Sequence, residues 1–198
     1  LSGNMAAILV VLYCSFMALD TPFEPVHLLF INLLTDSLPA LAIGMEPADK
    51  RLQKEKPRDV KKGILTKEFC VRLLIYGALI AVVTQGAYYL GHATDAATAS
   101  TMAFSTLTLA RLFHGFNCRR SSSVVQMKLT SNKWSLAAFG LGTMLLTLVL
   151  GVPFLQKLFL VAPLKISQII AIVLLAIVPT FLIQCVRRGK EIKTSLAK

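Results

Sequence analysis

Acidic residues are scarce in this chain: ten Asp and Glu stand against 21 Lys and Arg in 198 residues, a formal net charge of +11. Such a balance raises nucleic acid as a partner. The basic residues, however, sit in short stretches beside apolar runs, without an aromatic-interleaved surface, so no nucleic-acid partner is expected. Cysteine is sparse as well. Cys14, Cys70, Cys118 and Cys185 form no CxxC pair and no Cys/His metal spacing, and packing roles are expected for them. His27, His92 and His114 are dispersed near the ends of apolar runs, and no catalytic role is expected of them. No charged n-region, short apolar core and small-residue cleavage site opens the chain, so no secretory signal is read. An internal repeat of the kind that builds many secondary transporters is also lacking.

Apolar sequence is what the chain has in abundance. Hydrophobic residues make up 55% of it, its mean hydropathy is +0.67, and several runs approach the roughly 20 residues that cross a bilayer. The fold expected is an all-α membrane protein, a bundle of six transmembrane helices, with spans at about 1–19, 27–44, 69–91, 98–117, 134–155 and 166–186. The first is read as truncated, since the sequence starts inside an apolar run at Leu1 with no initiator Met. The chain is accordingly read as a fragment of a longer protein. Tyr88 and Tyr89 near the end of the third span and Trp134 at the start of the fifth suit membrane interfaces.

The connections alternate in charge. Segment 45–67 holds eight Lys or Arg, 118–133 holds four and the tail from 187 holds five, whereas 20–26 and 92–97 hold none. By the positive-inside rule the basic segments and the C-terminus are cytoplasmic, in contact with the lipid bilayer and its anionic headgroups.

Within the second span, "INLLTDSLP" carries Asn32, Thr35 and Asp36 at spacings of three and four, which brings their oxygens to one face of a helix. An ionisable group inside a membrane is costly and marks a partner, a cavity or an ion path. Calcium takes six to eight oxygens, so these three cannot complete a site and other helices must contribute. Pro39 removes a backbone N–H and can free carbonyls beside the cluster. Two readings stand: a cation site, which is preferred, or local polar packing with Asp36 paired to a basic residue.

"PVHLLFINLLTDSLPALAIGMEP", residues 25–47, resembles the sixth transmembrane helix and its entrance in P-type ATPases of the calcium-pump group. "SGNMAAIL" resembles the end of their helix five. The four later spans follow the order of helices seven to ten, supported by "TMAFS" at 101–105 and "APLKISQ" at 162–168. The resemblance covers essentially the whole chain and is closest to the single-site bacterial and secretory-pathway-type calcium pumps.

The resemblance implies a parent translocase that couples ATP hydrolysis to Ca2+ export through a phosphorylated aspartate. ATP and Mg2+ would act through domains that this sequence does not contain. There is no Asp-Lys-Thr-Gly motif, so the fragment alone should be inactive. Its partners would be the N-terminal membrane helices and the cytoplasmic domains of the same pump, and 45–67 would be a cytoplasmic connecting loop meeting the phosphorylation domain.

Carried over residue by residue, Asn32 and Asp36 match the helix-six ligands of one calcium site. Asn4 and Thr35 remain of a second, but Ala7 stands where its helix-five Glu would be, and Arg111 where its helix-eight Glu would be. One calcium per cycle is inferred, with Arg111 as a tethered cation in place of the second site. The alternative for Arg111 is snorkelling to the interface. Leu41 stands where manganese-carrying pumps have a Gln, which favours calcium, with manganese second. A bacterial plasma membrane is the favoured location, an endomembrane the alternative.

Gly77, Gly86, Gly140 and Gly142 are expected to permit close helix packing and Pro179 to kink the last span. The competing functional class is the membrane domain of an ion-coupled secondary cation transporter. A purely structural membrane module is third.

Overall fold

The computed structural model describes residues 1–46, 63, 65–119 and 131–196. Every regular element among them is helical: α1 (Ser2–Phe16), α2 (Pro25–Phe30), a π-helical turn (Ile31–Asp36), α3 (Ser37–Gly44), α4 (Lys67–His92), α5 (Ala96–Arg119), α6 (Lys133–Gly151), α7 (Pro153–Leu158) and α8 (Ile166–Leu196). The expected 45–67 connection lies outside the described residues except near its ends.

The helix starts follow local chemistry. Thr66 caps α4 by accepting the Phe69 N–H at 3.2 Å, and Asn132 caps α6 by accepting from Trp134 and Ser135 at 3.0 and 3.2 Å. Asp95 opens α5: its carboxylate accepts the Thr98 backbone N–H at 2.7 Å and the Thr98 hydroxyl at 2.9 Å. Two helix ends close on left-handed residues that are not glycine, Ala18 after α1 and Leu160 after α7. In each case the next N–H reaches back into the last turn, Leu19 to Cys14 at 2.9 Å and Val161 to Gln156 at 3.0 Å.

Among the described residues four stretches are long and apolar enough to cross a membrane: Pro25–Gly44, Lys67–His92, Lys133–Gly151 and Ile166–Gly189. Ser2–Phe16 is apolar but shorter. The fourth expected span, 98–117, lies in α5, whose Ser and Thr content lowers its hydropathy. Its position explains how it tolerates them. Buried residues occur all around α5, from Thr98 to Arg119, and α4, α8, α6 and α1 pack on it. A helix enclosed by other helices need not be as apolar as one bathed in lipid. Part of its hydroxyl content is absorbed locally, Thr101 donating to the Ala97 carbonyl at 2.8 Å and Ser105 to the Thr101 carbonyl at 2.7 Å, whereas the hydroxyls of Ser100, Thr106 and Thr108 are buried without a hydrogen-bond partner among the described residues. The expected fifth span, 134–155, breaks at Val152, because Pro153 has no N–H to continue the ladder and instead starts α7.

The glycines divide. A Cβ on Gly142 would meet the Leu112 side chain at 2.7 Å and one on Gly77 would meet Met5 at 3.0 Å, so both serve close packing. Gly86 and Gly140 meet nothing within 4 Å, so close packing is not their role. The tightest backbone approach is at Gly91, where a Cβ would lie 2.6 Å from the Ala99 Cα and 2.8 Å from the Thr98 carbonyl oxygen. Helix α8 runs on through Pro179. Of the cysteines only Cys14 is buried. Cys70, Cys118 and Cys185 are exposed free thiols, so no packing role is seen for them within this chain, and Cys118 borders the cavity that Ser2 and His114 line.

Gly91→Val should lower the melting temperature of the full-length parent in detergent, by the equivalent of about 1–3 kcal/mol of overpacking, because backbone atoms cannot step aside. Gly86→Ala should leave it unchanged or slightly raised. Asp95 gives a pH-dependent counterpart. Its bonds from the Thr98 N–H and hydroxyl hold its carboxyl below the usual range, so the stabilisation is present above the unfolded pKa of about 3.9 and is lost as pH falls through the folded value. Asp95→Ala should therefore melt lower than the native protein near neutral pH, and the gap should close on acidification.

Candidate functional site

The second span is not one regular helix. Pro25 occupies its first turn, and Glu24 and His27 form a reciprocal capping box. The Glu24 N–H donates to His27 Nδ1 at 3.1 Å, which leaves Nε2 to donate to the Phe159 carbonyl at 2.8 Å. The ring stacks on Phe104 with centroids 4.3 Å apart. His27 thus ties the start of this span to the chain after α7 and to α5.

The backbone then widens into the π-helical turn over Ile31–Asp36 before resuming as α3. Pro39 supplies a reason: it offers no N–H to the carbonyl four residues earlier, and its ring crowds that carbonyl. Insertion of a residue into the hydrogen-bond ladder of a helix is rare and recurs at functional sites. Here the widened turn holds Asn32, Thr35 and Asp36.

Arg111 comes to this turn from the middle of α5. Its Nη2 donates to Asp36 Oδ2 and to Asn4 Oδ1, so one guanidinium nitrogen joins three helical segments. The Arg111 side chain is 5% exposed and that of Asp36 is 37%. Arg111 therefore points into the bundle and does not snorkel. Gly3 makes this path available. A Cβ there would lie 2.9 Å from Arg111 Cζ and 3.0 Å from Cδ, so the guanidinium stem lies directly over the Gly3 backbone. Ser2, Gly3, Asp36, Pro39, Arg111 and His114 line a cavity of about 260 Å3. His114 accepts or donates with Ser2 Oγ at 3.0 Å and meets Asn117 at 3.3 Å.

The remaining candidates fall as follows. Asn32 is exposed one turn before Asp36, and its carbonyl meets Ser37 Oγ at 3.5 Å. The Thr35 side chain lies outside the described residues. Ala7 is buried in the apolar core of the bundle, 8% exposed. Leu41 is exposed. Among the described residues no group of three His, Cys, Asp or Glu gathers, so this chain brings one carboxylate and neutral oxygens to the turn. Hard oxygen donors of that kind suit a hard cation, while six to eight are needed for calcium. Gly3 was not read as a site residue from sequence, since only its place across from Arg111 marks it.

The family description "Cation transporting ATPase, C-terminus" matches residues 20–189. Among characterised relatives, the chain is 33% identical over 186 residues to the calcium-transporting ATPase of Bacillus subtilis (strain 168), covering 92% of this chain and 21% of that protein. It is 35% identical over 159 residues to calcium-transporting ATPase 1 of Lactococcus lactis subsp. lactis (strain IL1403), covering 80% of this chain and 18% of the relative. Calcium-transporting ATPase 1 of Saccharomyces cerevisiae (strain ATCC 204508 / S288c) is 31% identical over 180 residues, 89% of this chain and 19% of its own length. The chain thus spans about a fifth of the length of the relatives it matches.

Gly3→Ala should push the Arg111 side chain off Asp36 and Asn4 while the backbone stays in place. The expected cost in the full-length parent is about 1–2 kcal/mol, below that of a fully buried pair because Asp36 is half-exposed. Melting of Gly3→Ala, Arg111→Met and the double variant in detergent checks it: the two changes act on one interaction, so the double variant should be no less stable than Arg111→Met alone.

Proposed function

This chain belongs to the cation transporting ATPase, C-terminus family, and from that membership we propose that it is the C-terminal half of the membrane domain of an ATP-driven calcium pump. The observation that carries the reading is the similarity to relatives named calcium-transporting ATPases over 80–92% of this chain; the shared hold of Arg111 on Asp36 and Asn4 fits it but equally suits local polar packing, which the test below separates. A carboxylate in a low-dielectric bundle requires a positive partner. Arg111 is that partner in the resting arrangement, and Ca2+ takes its place when the ion binds.

In this mechanism Asn32 and Asp36 supply two of the oxygens of a single calcium site, and the rest come from other helices of the parent. Asn4 and Thr35 are what remains of a second set. Its acidic positions are lost, Ala7 having no carboxylate, and Arg111 fills that space with a fixed charge. A second divalent ion beside a guanidinium would meet strong repulsion in so apolar a setting. One Ca2+ per cycle follows. Calcium is preferred to manganese because Leu41 offers no additional oxygen.

The basic segments and the C-terminus face the cytoplasm, where anionic headgroups hold them. Export is driven by ATP and Mg2+ in the cytoplasmic domains of the parent, and the fragment by itself hydrolyses nothing. The widened turn at Ile31–Asp36 serves the cycle physically: a helix already opened at its ion ligands can change the direction of their oxygens without breaking a full α-helical ladder.

The test uses the full-length parent in sealed vesicles, measuring calcium-dependent ATP hydrolysis and calcium uptake together. Asp36→Asn should abolish both while expression and folding are retained. Arg111→Glu should change calcium stoichiometry, affinity or pH dependence. A native protein that does neither, and instead moves an ion down an imposed gradient, would transfer the chain to the secondary transporters.

A further inference from the structure

A second buried carboxylate–guanidinium pair joins the same two segments at the far end of α3. Arg119 Nε donates to Glu46 Oε2 at 2.9 Å and Nη2 donates to Oε1 at 3.0 Å, the two-point geometry that fixes orientation as well as charge. The side chains are 1% and 14% exposed. Arg119 Nη2 also donates to Ser131 Oγ at 2.8 Å. Asn132 joins the cluster. Its Nδ2 donates to Glu46 Oε2 at 2.7 Å and to the Ala42 carbonyl at 2.8 Å, while its Oδ1 caps α6. The Ala42 carbonyl belongs to the last turn of α3, where carbonyls have no helical partner, and the side chain of Asn132 supplies one.

The two pairs sit on a common frame. Asp36 and Glu46 bracket α3, and Arg111 and Arg119 lie on α5, eight residues or about 12 Å apart. Between the ties the segments touch, since a Cβ on Gly115 would lie 3.4 Å from the Pro39 Cβ. The ties differ in exposure. Asp36 is 37% exposed at the first, whereas at the second Glu46 is only 14% exposed and Arg119 is buried. A carboxylate reachable from outside can exchange partners, and one enclosed by Arg119 and Asn132 is held.

We propose that Glu46, Arg119 and Asn132 are positioning residues for the ion site: a buried tie that holds α3 against α5 and so sets how readily Asp36 exchanges Arg111 for the cation. The proposal rests on the pump reading above. Tethering raises the effective concentration of Asp36 before Arg111. Loosening the tie weakens this internal competitor, and the cation then competes more easily for the carboxylate.

The experiment is a double-mutant cycle in the full-length parent, reading the half-saturating calcium concentration and the turnover of calcium-dependent ATP hydrolysis, with melting in detergent on the same samples. Arg119→Lys keeps the charge and loses the two-point bond, and Asn132→Ala removes the bridge to Ala42. Each should lower the half-saturating calcium concentration by about 3- to 10-fold, a coupling in the usual range for linked sites. In an Arg111→Met background, where the internal competitor is gone, the same changes should leave it unmoved.

A merely structural tie would lower melting and yield with the calcium dependence unchanged, or would shift calcium dependence equally in both backgrounds, and either result overturns the proposal. Should Asn132→Ala fail to fold, Arg119→Lys alone closes the cycle. Absence of calcium-dependent hydrolysis in the native control would count against the pump reading itself. The melting cycle still decides the tie in that case, because additive effects of Arg111 and Arg119 would show that the two ends of the frame are not coupled.

Discussion

An ionised carboxylate inside an apolar helical bundle must meet positive charge, and the arrangement around Asp36 follows from that requirement. Arg111 satisfies it from the middle of α5, almost wholly buried. Burying a guanidinium is itself costly, and the cost is offset only where its hydrogen bonds are made. Asn4 takes a second bond from the same nitrogen, and Gly3 lets the stem pass over the α1 backbone. A side chain at position 3 would occupy the path that the arginine needs. The charge pair therefore dictates sequence on three segments: a carboxylate in the widened turn, an arginine on α5, and a glycine followed by an amide on α1.

A helix that presents an arginine to the centre of a membrane bundle must itself lie at the centre. Helix α5 does so with small and hydroxyl-bearing residues, which let neighbours approach closely. The contact of Gly91 with Ala99 is the extreme case. The Thr101 and Ser105 hydroxyls return to carbonyls one turn back, and the Thr101 hydroxyl also accepts the Ala162 N–H at 2.8 Å. Ser100, Thr106 and Thr108 keep buried hydroxyls with no hydrogen-bond partner among the described residues, so this central helix carries unsatisfied polar groups as well as satisfied ones. The same placement gives both of its buried arginines a partner on the second span, Arg111 with Asp36 and Arg119 with Glu46.

Much of this was legible in the sequence, because hydropathy and charge act over whole segments. The all-α bundle, a second span at about 27–44 and the oddity of Asp36 and Arg111 within apolar runs are all properties of composition at about 20-residue scale. What escaped depends on single atoms brought together across the fold. Gly3 has no sequence signal, since its role is set by Arg111, 108 positions away. Nothing local to Asn132 shows that its amide meets Ala42 and Glu46. Pro39 announced a disturbed helix, but not that the disturbance would be a π-helical turn on its N-terminal side. By length 98–117 is one more span, and its Ser and Thr content is the local sign of its central place. The apolar run 134–155 is continuous in hydropathy, and Pro153 is the local sign of the break at Val152.

The asymmetry of the charge pair bears on how the proposed pump would use it. Arg111 is enclosed, whereas Asp36 and its neighbour Asn32 retain exposed surface on the same widened turn. A cation can approach the carboxylate only from that open side, where further oxygens from other helices of the parent would have to complete its shell. In the proposed cycle Asp36 would have to turn away from the guanidinium as the cation arrives, and a turn already freed from the regular ladder could do this with little rearrangement. Arg111 is bonded to Asn4 as well and borders the cavity shared with Ser2 and His114, so it would have a partner left inside the bundle. Under that proposal the two states would be mutually exclusive: the carboxylate would serve the arginine or the transported ion. Such exclusion would give the proposed site a defined resting state without a second acidic residue.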